Sequence, residues 1–555
     1  MDAHEFAKWA GHFDIASITV PTATPTASAS KNAVAAAANE SAEDDKVIIG
    51  LTAKKETDFK NWYRQLLIKA EMLEYYDVSG CYVLRPNSYS IWEYIQQHFD
   101  AGIKKLGVRN CYFPMFVTED MLQKEKDHIE GFAPEVAWVT KAGQSNLDKP
   151  VAIRPTSETV MYPTYAKWIK SWRDLPLRLN QWCNVVRWEF KNPLPFIRTR
   201  EFLWQEGHTA FATKAEADVE VRHILQLYAD VYEQLLAVPM MQGIKSHKEK
   251  FAGGLYTTTI EGFVPSTGRG IQAGTSHCLG QNFANMFDIT FLDDQHQSQK
   301  VWQNSWGLST RTLGVLCMIH GDNKGLVLPP RVAHTQVVVM PVGITARTTE
   351  QERLALTKAA TDLVAILNAA GVRATDDCRT QVTPGYKFNH WELRGIPIRL
   401  EIGPRDLAKK ETRAVRRDTG EACNLSVAEI VVSTQKLLDT MQSEMLARAT
   451  AERDSRIREI MLFENGFVEA LNAKCMVVSP WCNREACEDW VKDNSARQDD
   501  GSDAPIDEKE PSMGAKTLCL PFAYNEDPSR KFKEGTKCFA CDKPADLWAL
   551  WGRSY

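Results

Sequence analysis

Residues 180–211 read NQWCNVVRWEF, KNPLPFIRTR and EFLWQEGHTAF, a stretch that concentrates groups able to act on charged small molecules. Side chains alternate between the faces of a strand, so Arg187 and Glu189 share one face of the first run, while Phe202, Trp204, Glu206 and His208 share one face of the last. The loop between them carries two prolines together with Arg198 and Arg200. Folded as a hairpin, the segment brings cations, carboxylates, an aromatic slab and an imidazole into one pocket. An ordinary core face would not carry so many polar groups, because each needs a partner once buried. A guanidinium in such a pocket donates two parallel hydrogen bonds to a phosphate or carboxylate and stays charged at any working pH.

Four cysteines form a second constellation: Cys482 and Cys487 in PWCNREAC, and Cys538 and Cys541 in KCFAC. Four thiolates can enclose a tetrahedral Zn2+ in a closed, structural site, although the roughly 50 residues between the pairs exceed the usual zinc-ribbon spacing. Cys475 and Cys519 read instead as buried thiols.

These groups must be positioned by the elements around them. From residue 57 to 330, helix-period segments alternate with paired strand-like runs separated by short polar turns, the pattern of an antiparallel sheet flanked by helices. At QVVVMPV (336–342) the texture changes to a buried strand, an amphipathic helix over 349–370, a stop at Gly371 and a strand near 396–402, which predicts a small α/β domain. A third unit, from about 451 onward, holds six of the thirteen cysteines. Residues 21–46 are rich in Ala, Ser and Thr without aromatics, so a flexible tether is expected there.

The 555 residues exceed one hydrophobic core, and two to four domains are expected. There is no uninterrupted apolar run of ~18 residues, so no membrane partner is expected. The net charge of -5 means that any nucleic-acid contact must come from a local basic patch. Such a run exists at 385–418, where Lys387, Arg394, Arg399, Arg405, Lys409, Lys410, Arg413, Arg416 and Arg417 interleave with Phe388 and Trp391, a composition that can hold phosphates and stack unpaired bases. The odd cysteine count and the acidic, arginine-free first residues point to a reducing compartment, read as cytoplasm.

Taken together, the motifs resemble the prolyl-tRNA synthetases of archaeal/eukaryotic type, which are class II aminoacyl-tRNA synthetases. The 180–211 hairpin is similar to motif 2 of that class. A helix over 88–106 leading into a strand at 109–113 looks like motif 1, and WGLSTRTLGVLCMIHGD (306–322) looks like motif 3. RPTSE (154–158) and GTSH (274–277) resemble the family's proline-pocket signatures, EIGPRD its anticodon-binding domain, and WGRSY its ending. Residues 211–306 leave no room for the editing insertion of the bacterial type. The resemblance implies an α+β chain: an extension over 1–50, an antiparallel-sheet catalytic domain over 51–333, an α/β anticodon-binding domain over 334–445 and a small zinc-binding α/β domain over 446–555.

It also implies a reaction: activation of proline by ATP with Mg2+, transfer to tRNA(Pro), and a homodimer formed through motif 1. By the same resemblance Arg187 bridges the α-phosphate and the proline carboxylate, and Arg311 holds the γ-phosphate. Thr156 and Glu158 accept the proline N–H groups, Phe202 and Trp204 wall the ring, and Glu206, His208 and His277 complete the lining. Glu189, Arg198, Thr199, Gln272, Thr275 and Ser309 are expected on ATP, with Glu189 and Glu261 as candidate Mg2+ ligands. Glu401 and Arg405 are candidate readers of the anticodon, and similar spacing in the family assigns Zn2+ to the four cysteines. A synthetase-like protein without catalysis, or a class II enzyme for threonine or serine, would be the alternatives.

Overall fold

The computed structural model describes residues 50–122, 136–188, 193–496 and 514–555. The tether expected at 21–46 and the candidate ligand Glu189 lie outside the described residues.

Among the described residues the scaffold is one eleven-stranded sheet. In chain order its first strands are Arg109–Asn110 (β1), Leu177–Val186 (β2), Glu201–Phe211 (β3), Met241–Ile244 (β4), Tyr256–Val264 (β5), Arg269–Gly280 (β6) and Trp302–Ser309 (β7). β2 and β3 form the expected hairpin, with Gln181 opposite Glu206 and Cys183 opposite Trp204. β7 lies against β3, β6 against β7 and β5 against β6, all antiparallel. Two glycines let aromatic rings lie flat on this sheet, one on each face. A Cβ on Gly207 would sit 2.2 Å from the ring of Trp306 on the core side, and one on Gly307 would sit 3.2 Å from the ring of Trp204 on the other.

Helices Phe59–Lys69 (α1), Pro86–Lys105 (α2), Lys214–Asp230 (α4) and Arg311–His320 (α5) contribute to the main core, which buries Trp62, Trp92, Phe99, Tyr228, Trp306 and Leu316. The opposite face holds Glu158–Trp168 (α3), whose Met161, Tyr162 and Tyr165 pack with Phe283 and Phe287. α4 begins at a capping box, Thr213 and Glu216 exchanging hydrogen bonds that satisfy two otherwise unpaired backbone donors.

The motif 1 helix starts two residues before its expected position, because Pro86 is preset for the first helical turn, where its missing N–H costs nothing. The strand expected over 109–113 is only β1. Phe113 donates its N–H to the Gln181 side chain at 3.0 Å instead of to a neighbouring strand, and the ladder ends.

The second unit is a five-stranded sheet of Val337–Pro341 (β8), Ala374–Asp376 (β9), Ile398–Ile402 (β10), Glu411–Arg416 (β11) and Ala422–Ser426 (β12), in the order β9-β8-β10-β11-β12. Helix Glu350–Ala369 (α6) starts on the Thr349/Glu352 capping box and ends at Ala370, as its period requires. Pro384–Leu393 (α7) and Ile430–Asp454 (α8) complete the unit.

The C-terminal unit departs from expectation. Its strands Ile457–Glu459 (β13), Met476–Trp481 (β14), Lys516–Pro521 (β15) and Leu547–Ser554 (β16) extend the eleven-stranded sheet, β15 pairing with β4 and β16 also running parallel to β6. Met241 and Phe263 share a core with Met476, Leu518, Trp548 and Leu550. The boundary expected at 445/446 falls inside α8. A break in composition was visible there, but edge-to-edge strand pairing depends on backbone groups, and composition does not report it.

Candidate active site

One open cavity of about 270 Å³ lies on the sheet face opposite the main core. Thr156, Glu158, Arg187, Phe202, Trp204, Glu206, His208, Gln272, Thr275, His277, Ser309 and Arg311 all line it. The sequence motifs that supply them are far apart in the chain, and the sheet register brings them together. Thr257, His277, Ser305 and His208 stand side by side on β5, β6, β7 and β3. One step along, Thr259, Thr275, Gly307 and Glu206 form the next row.

Arg187 follows β2 immediately. Its Nε donates to the Pro155 carbonyl at 3.0 Å, and its guanidinium lies 5.4 Å from the ring centroids of both Phe202 and Trp204. The cation is therefore stacked and aimed before any ligand arrives. Arg154, also in RPTSE, is 1% exposed; it donates to the carbonyls of Phe113 and Asn184 and pins the loop rather than lining the cavity. Beyond that loop, the Thr156 hydroxyl donates to Glu158, the first residue of α3.

Glu206 lines the cavity, yet its carboxylate is committed to the protein. It accepts from Ser157 Oγ at 2.5 Å, Ser157 N at 3.1 Å and Gln181 Nε2 at 2.8 Å, and pairs with His208 Nε2 at 3.1 Å. Tyr162 holds the other His208 nitrogen at 2.9 Å. Burial alone would raise the Glu206 carboxyl, but His208, Ser157 and Gln181 together hold it below the ordinary range. Burial likewise opposes charge on His208, and Glu206 and Glu158 raise it nonetheless. His277 has no such carboxylate: burial, with His208 nearby, lowers it to about 3, so it is a neutral imidazole paired with the Thr257 hydroxyl at 2.9 Å.

Arg311, which also lines the cavity, opens α5. Its Nη1 donates to the Gln272 carbonyl at 2.8 Å and its Nε to the Ile197 carbonyl at 3.3 Å. Burial, and the charges of Arg187 and Arg198, lower its guanidinium pKa. An adjoining cavity of about 230 Å³ is lined by Arg198, Lys245, Glu261, Arg311 and the terminal Tyr555. Thr199 is 7% exposed and lines neither cavity. Glu261 is held by Lys245 at 2.7 Å and by the Thr259 hydroxyl at 2.7 Å, so it is a counter-ion and does not fit the role of an open Mg2+ ligand.

Sequence reasoning missed Ser157, Gln181, Tyr162, Ser305 and Gly307. Gln181 could have been found by counting the hairpin register from Glu206. Ser157 and Tyr162 depend on how α3 docks, which no local pattern encodes. The buried Ser305 hydroxyl lines the cavity with no hydrogen-bond partner among the described residues.

The cysteine expectation fits the geometry. The sulfurs of Cys482, Cys487, Cys538 and Cys541 lie within 4.8 Å of one another, with contacts of 3.7 Å (Cys487 to Cys538) and 3.6 Å (Cys541 to Cys482). A tetrahedral zinc with Zn–S near 2.3 Å requires S···S edges of about 3.8 Å. Cys475 and Cys519 are buried free thiols, as expected.

The basic run of the second unit is spent differently from its sequence reading. Arg416 pairs with Asp418 and Glu444, Arg417 with Asp322, Arg394 with Glu71, and Lys387 is buried against Asp377. Arg405, Lys409, Lys410 and Arg413 are exposed, while Glu401 is 9% exposed and accepts from Arg399 at 2.8 Å. Composition cannot tell a cation facing solvent from one facing a carboxylate distant in sequence.

Residues 138–320 match the model of the tRNA synthetase class II core domain (G, H, P, S and T), residues 336–437 the anticodon binding domain, and residues 465–555 the prolyl-tRNA synthetase C-terminal domain. A putative proline–tRNA ligase of Schizosaccharomyces pombe is 56% identical over 525 residues, covering 93% of this chain and 73% of that protein. The chain belongs to the prolyl-tRNA synthetase family. The cytoplasmic proline–tRNA ligase of Arabidopsis thaliana is 54% identical, with 91% of each chain covered. The crystal structure of prolyl-tRNA synthetase from Cryptosporidium parvum, complexed with halofuginone and AMPPNP, superposes with a TM-score of 0.84 at 50% identity, covering 91% of this chain and all of that one. The synthetase is thus a class II aminoacyl-tRNA synthetase and a proline–tRNA ligase, with ATP as a substrate. Among the described residues no helix is long and apolar enough to cross a membrane.

Proposed function

We propose that the cavity binds L-proline and ATP side by side, joins them as prolyl-adenylate with release of diphosphate, and passes the prolyl group to the 3' end of tRNA(Pro). The observation that carries this reading is the convergence of Arg187, stacked on Phe202 and Trp204, with the Thr156–Glu158 pair and Arg311 around one space.

Adenylation is an in-line attack of carboxylate oxygen on the α-phosphorus, a reaction that needs positioning and charge neutralisation more than acid or base groups. Arg187 is suited to bridge the two reacting anions, and Arg311 to neutralise the distal phosphates, with Arg198, Gln272, Thr275 and Ser309 as further nucleotide contacts. Thr199, and Glu189 beyond the described residues, remain proposals from the resemblance alone. Glu158 and Thr156 are suited to accept the two N–H bonds of a secondary ammonium. Trp204, Phe202 and His277 bound the ring, and Glu206 and His208 brace this wall. Mg2+ enters with the triphosphate as part of the substrate.

A pocket of this kind excludes larger side chains by clash but discriminates weakly against smaller ones, because a methylene is worth only ~1–3 kcal/mol. Alanine and cysteine are therefore the expected intruders. The four-cysteine cluster is suited to a structural Zn2+ held by Cys482, Cys487, Cys538 and Cys541, where the metal would cross-link the C-terminal unit. A homodimer through motif 1 is supported by exposed aromatics near β1 and α3, namely Tyr112, Phe116, Trp168 and Trp172. Glu401 and Arg405 are proposed to face the anticodon, and the name of the Arabidopsis relative supports the cytoplasm.

Arg187→Lys tests the active-site reading. It keeps the charge but cannot form the two parallel hydrogen bonds, and proline-dependent pyrophosphate exchange should fall roughly 100-fold. Exchange within a few-fold of the parent would remove Arg187 from the reaction.

A further inference from the structure

Three cavities share walls in series at the Arg311 end of the active site. Glu249, Gln272 and Arg311 line both the substrate cavity and the adjoining one of about 230 Å³. Arg198, Glu249, Lys516, Ser554 and Tyr555 line both that cavity and a third of about 330 Å³, to which Lys248, Glu488 and Lys492 add. Lys245, in the second cavity, is buried, whereas Lys248 and Lys492, in the third, are exposed, so the series runs from Arg311 to solvent.

The walls come from two parts of the chain that are fastened together, the loop after β4 and the C-terminal unit. Lys245 Nζ donates to the Leu518 carbonyl on β15 at 2.7 Å. The hydroxyls of Ser246 and Thr517 lie 3.0 Å apart, Lys516 pairs with Glu249 at 2.9 Å, and Lys248 pairs with Asp489. With β15 also paired to β4, the space between them is a fixed part of the fold.

The charges along this series suit a small polyanion. Its carboxylates are already engaged: Glu261 by Lys245, Glu249 by Lys516, and Glu488 by the Thr517 hydroxyl. Arg311 donates to the Ile197 and Gln272 carbonyls, and neither it nor Lys492 pairs with a carboxylate among the described residues. Arg187 and Arg198 lie close enough to Arg311 to add to the burial that lowers its guanidinium pKa. Guanidiniums gathered this closely within protein walls concentrate an anion among them.

Adenylation sets a direction as well. The proline carboxylate oxygen bonds to the α-phosphorus as the bond from that phosphorus to the bridging oxygen breaks, and the electron pair leaves with diphosphate. In-line displacement puts the leaving oxygen opposite the attacking one, so diphosphate departs away from the proline wall. Thr156, Glu158, Trp204 and His208 of that wall line the first cavity alone, whereas Arg311 borders the second as well.

We propose that diphosphate leaves by this route, past Arg311, Arg198 and Lys516 to an outer mouth at Lys248 and Lys492, while proline, ATP and the 3' end of tRNA enter through the open side of the first cavity. The route rests on the adenylation reading above. It gives the C-terminal unit a share in the reaction, because Lys516 opens β15 and Lys492 lies on the helix Glu485–Asn494.

The test uses the full-length enzyme carrying Lys492→Gln, Lys492→Glu or Ser554→Phe, the last to narrow the two outer cavities, each checked for an unchanged melting temperature. Lys492 is exposed, so its variants carry the test even where Ser554→Phe does not fold. Four quantities are measured: single-turnover formation of prolyl-adenylate, KM for ATP in that reaction, kcat/KM for diphosphate in its reversal from preformed adenylate, and KM for tRNA(Pro) in charging. Lys492→Glu should lower the diphosphate kcat/KM roughly 10-fold at low salt, and Lys492→Gln about 3-fold, both differences closing as salt screens them. Ser554→Phe should lower it at any salt, because a steric block is not screened. Adenylate formation and KM for ATP should not change. Diphosphate constants equal to the parent's in the folded variants would overturn the proposal. So would a matching rise in KM for ATP, which would make these groups part of nucleotide binding, or a change confined to KM for tRNA(Pro), which would make the outer mouth an RNA contact. A parent enzyme that forms no adenylate from proline would sink the underlying reading and the route with it, whereas normal adenylate formation with unchanged diphosphate constants would sink the route alone.

Discussion

His277 has a neutral ring with one nitrogen on Thr257, and its pKa near 3 makes folding strength depend on pH in a definite sense. Between about pH 6.5 and 3 the unfolded chain binds a proton there that the folded one refuses, so stability falls as pH drops through that window. His320, buried and lowered to about 4, adds in the same direction. Thermal melts from pH 7 to 4 should therefore show a shallower slope for His277→Gln than for the parent, and an identical slope would contradict the assigned state. Gly307 makes a sharper test of the pocket. A methyl there would press on the ring of Trp204 from 3.2 Å, so Gly307→Ala should raise KM for proline several-fold while leaving KM for ATP and the melting temperature nearly unchanged. At this scale the sequence was legible where alternation alone decided a direction: Trp204, Glu206 and His208 do face one cavity. It was not legible for the partners of Glu206. A carboxylate expected to meet substrate is enclosed by Ser157 and Gln181, which reach it from a different loop and a different strand.

Among the elements, the helices with strong signals lie where their caps put them, as Thr349 and Glu352 do for α6. β1 is shorter than its sequence run because the Phe113 N–H is taken by the Gln181 side chain, which periodicity does not report, while β2 begins three residues before Asn180 and ends at Val186. The four-cysteine cluster belongs to this scale too, since it joins the turn after β14 and the start of α9 (Glu485–Asn494) to the 538–541 turn. Cys482→Ser should lower zinc from about one per chain and depress the melting temperature, as removal of a structural metal does. Full metal content with an unchanged melt would exclude the assignment.

For the whole molecule, the shared sheet makes the C-terminal unit part of the catalytic scaffold. Deletion after residue 445 would strip β15 from β4 and expose Met241 and Phe263 from a mixed core, so the truncated chain should be recovered mostly as aggregate. A soluble, active fragment would show that the two units are independent. The boundaries read from sequence followed changes in composition, whereas the fold joins the units by backbone pairing and by the Arg417–Asp322 fork. The proposed function requires one cavity to select proline. It is tested most directly by pyrophosphate exchange with proline, alanine, cysteine, threonine and serine in turn: the geometry predicts strong exchange with proline, weak exchange with alanine and cysteine, and none with threonine or serine. Exchange with threonine or serine in preference to proline would contradict it.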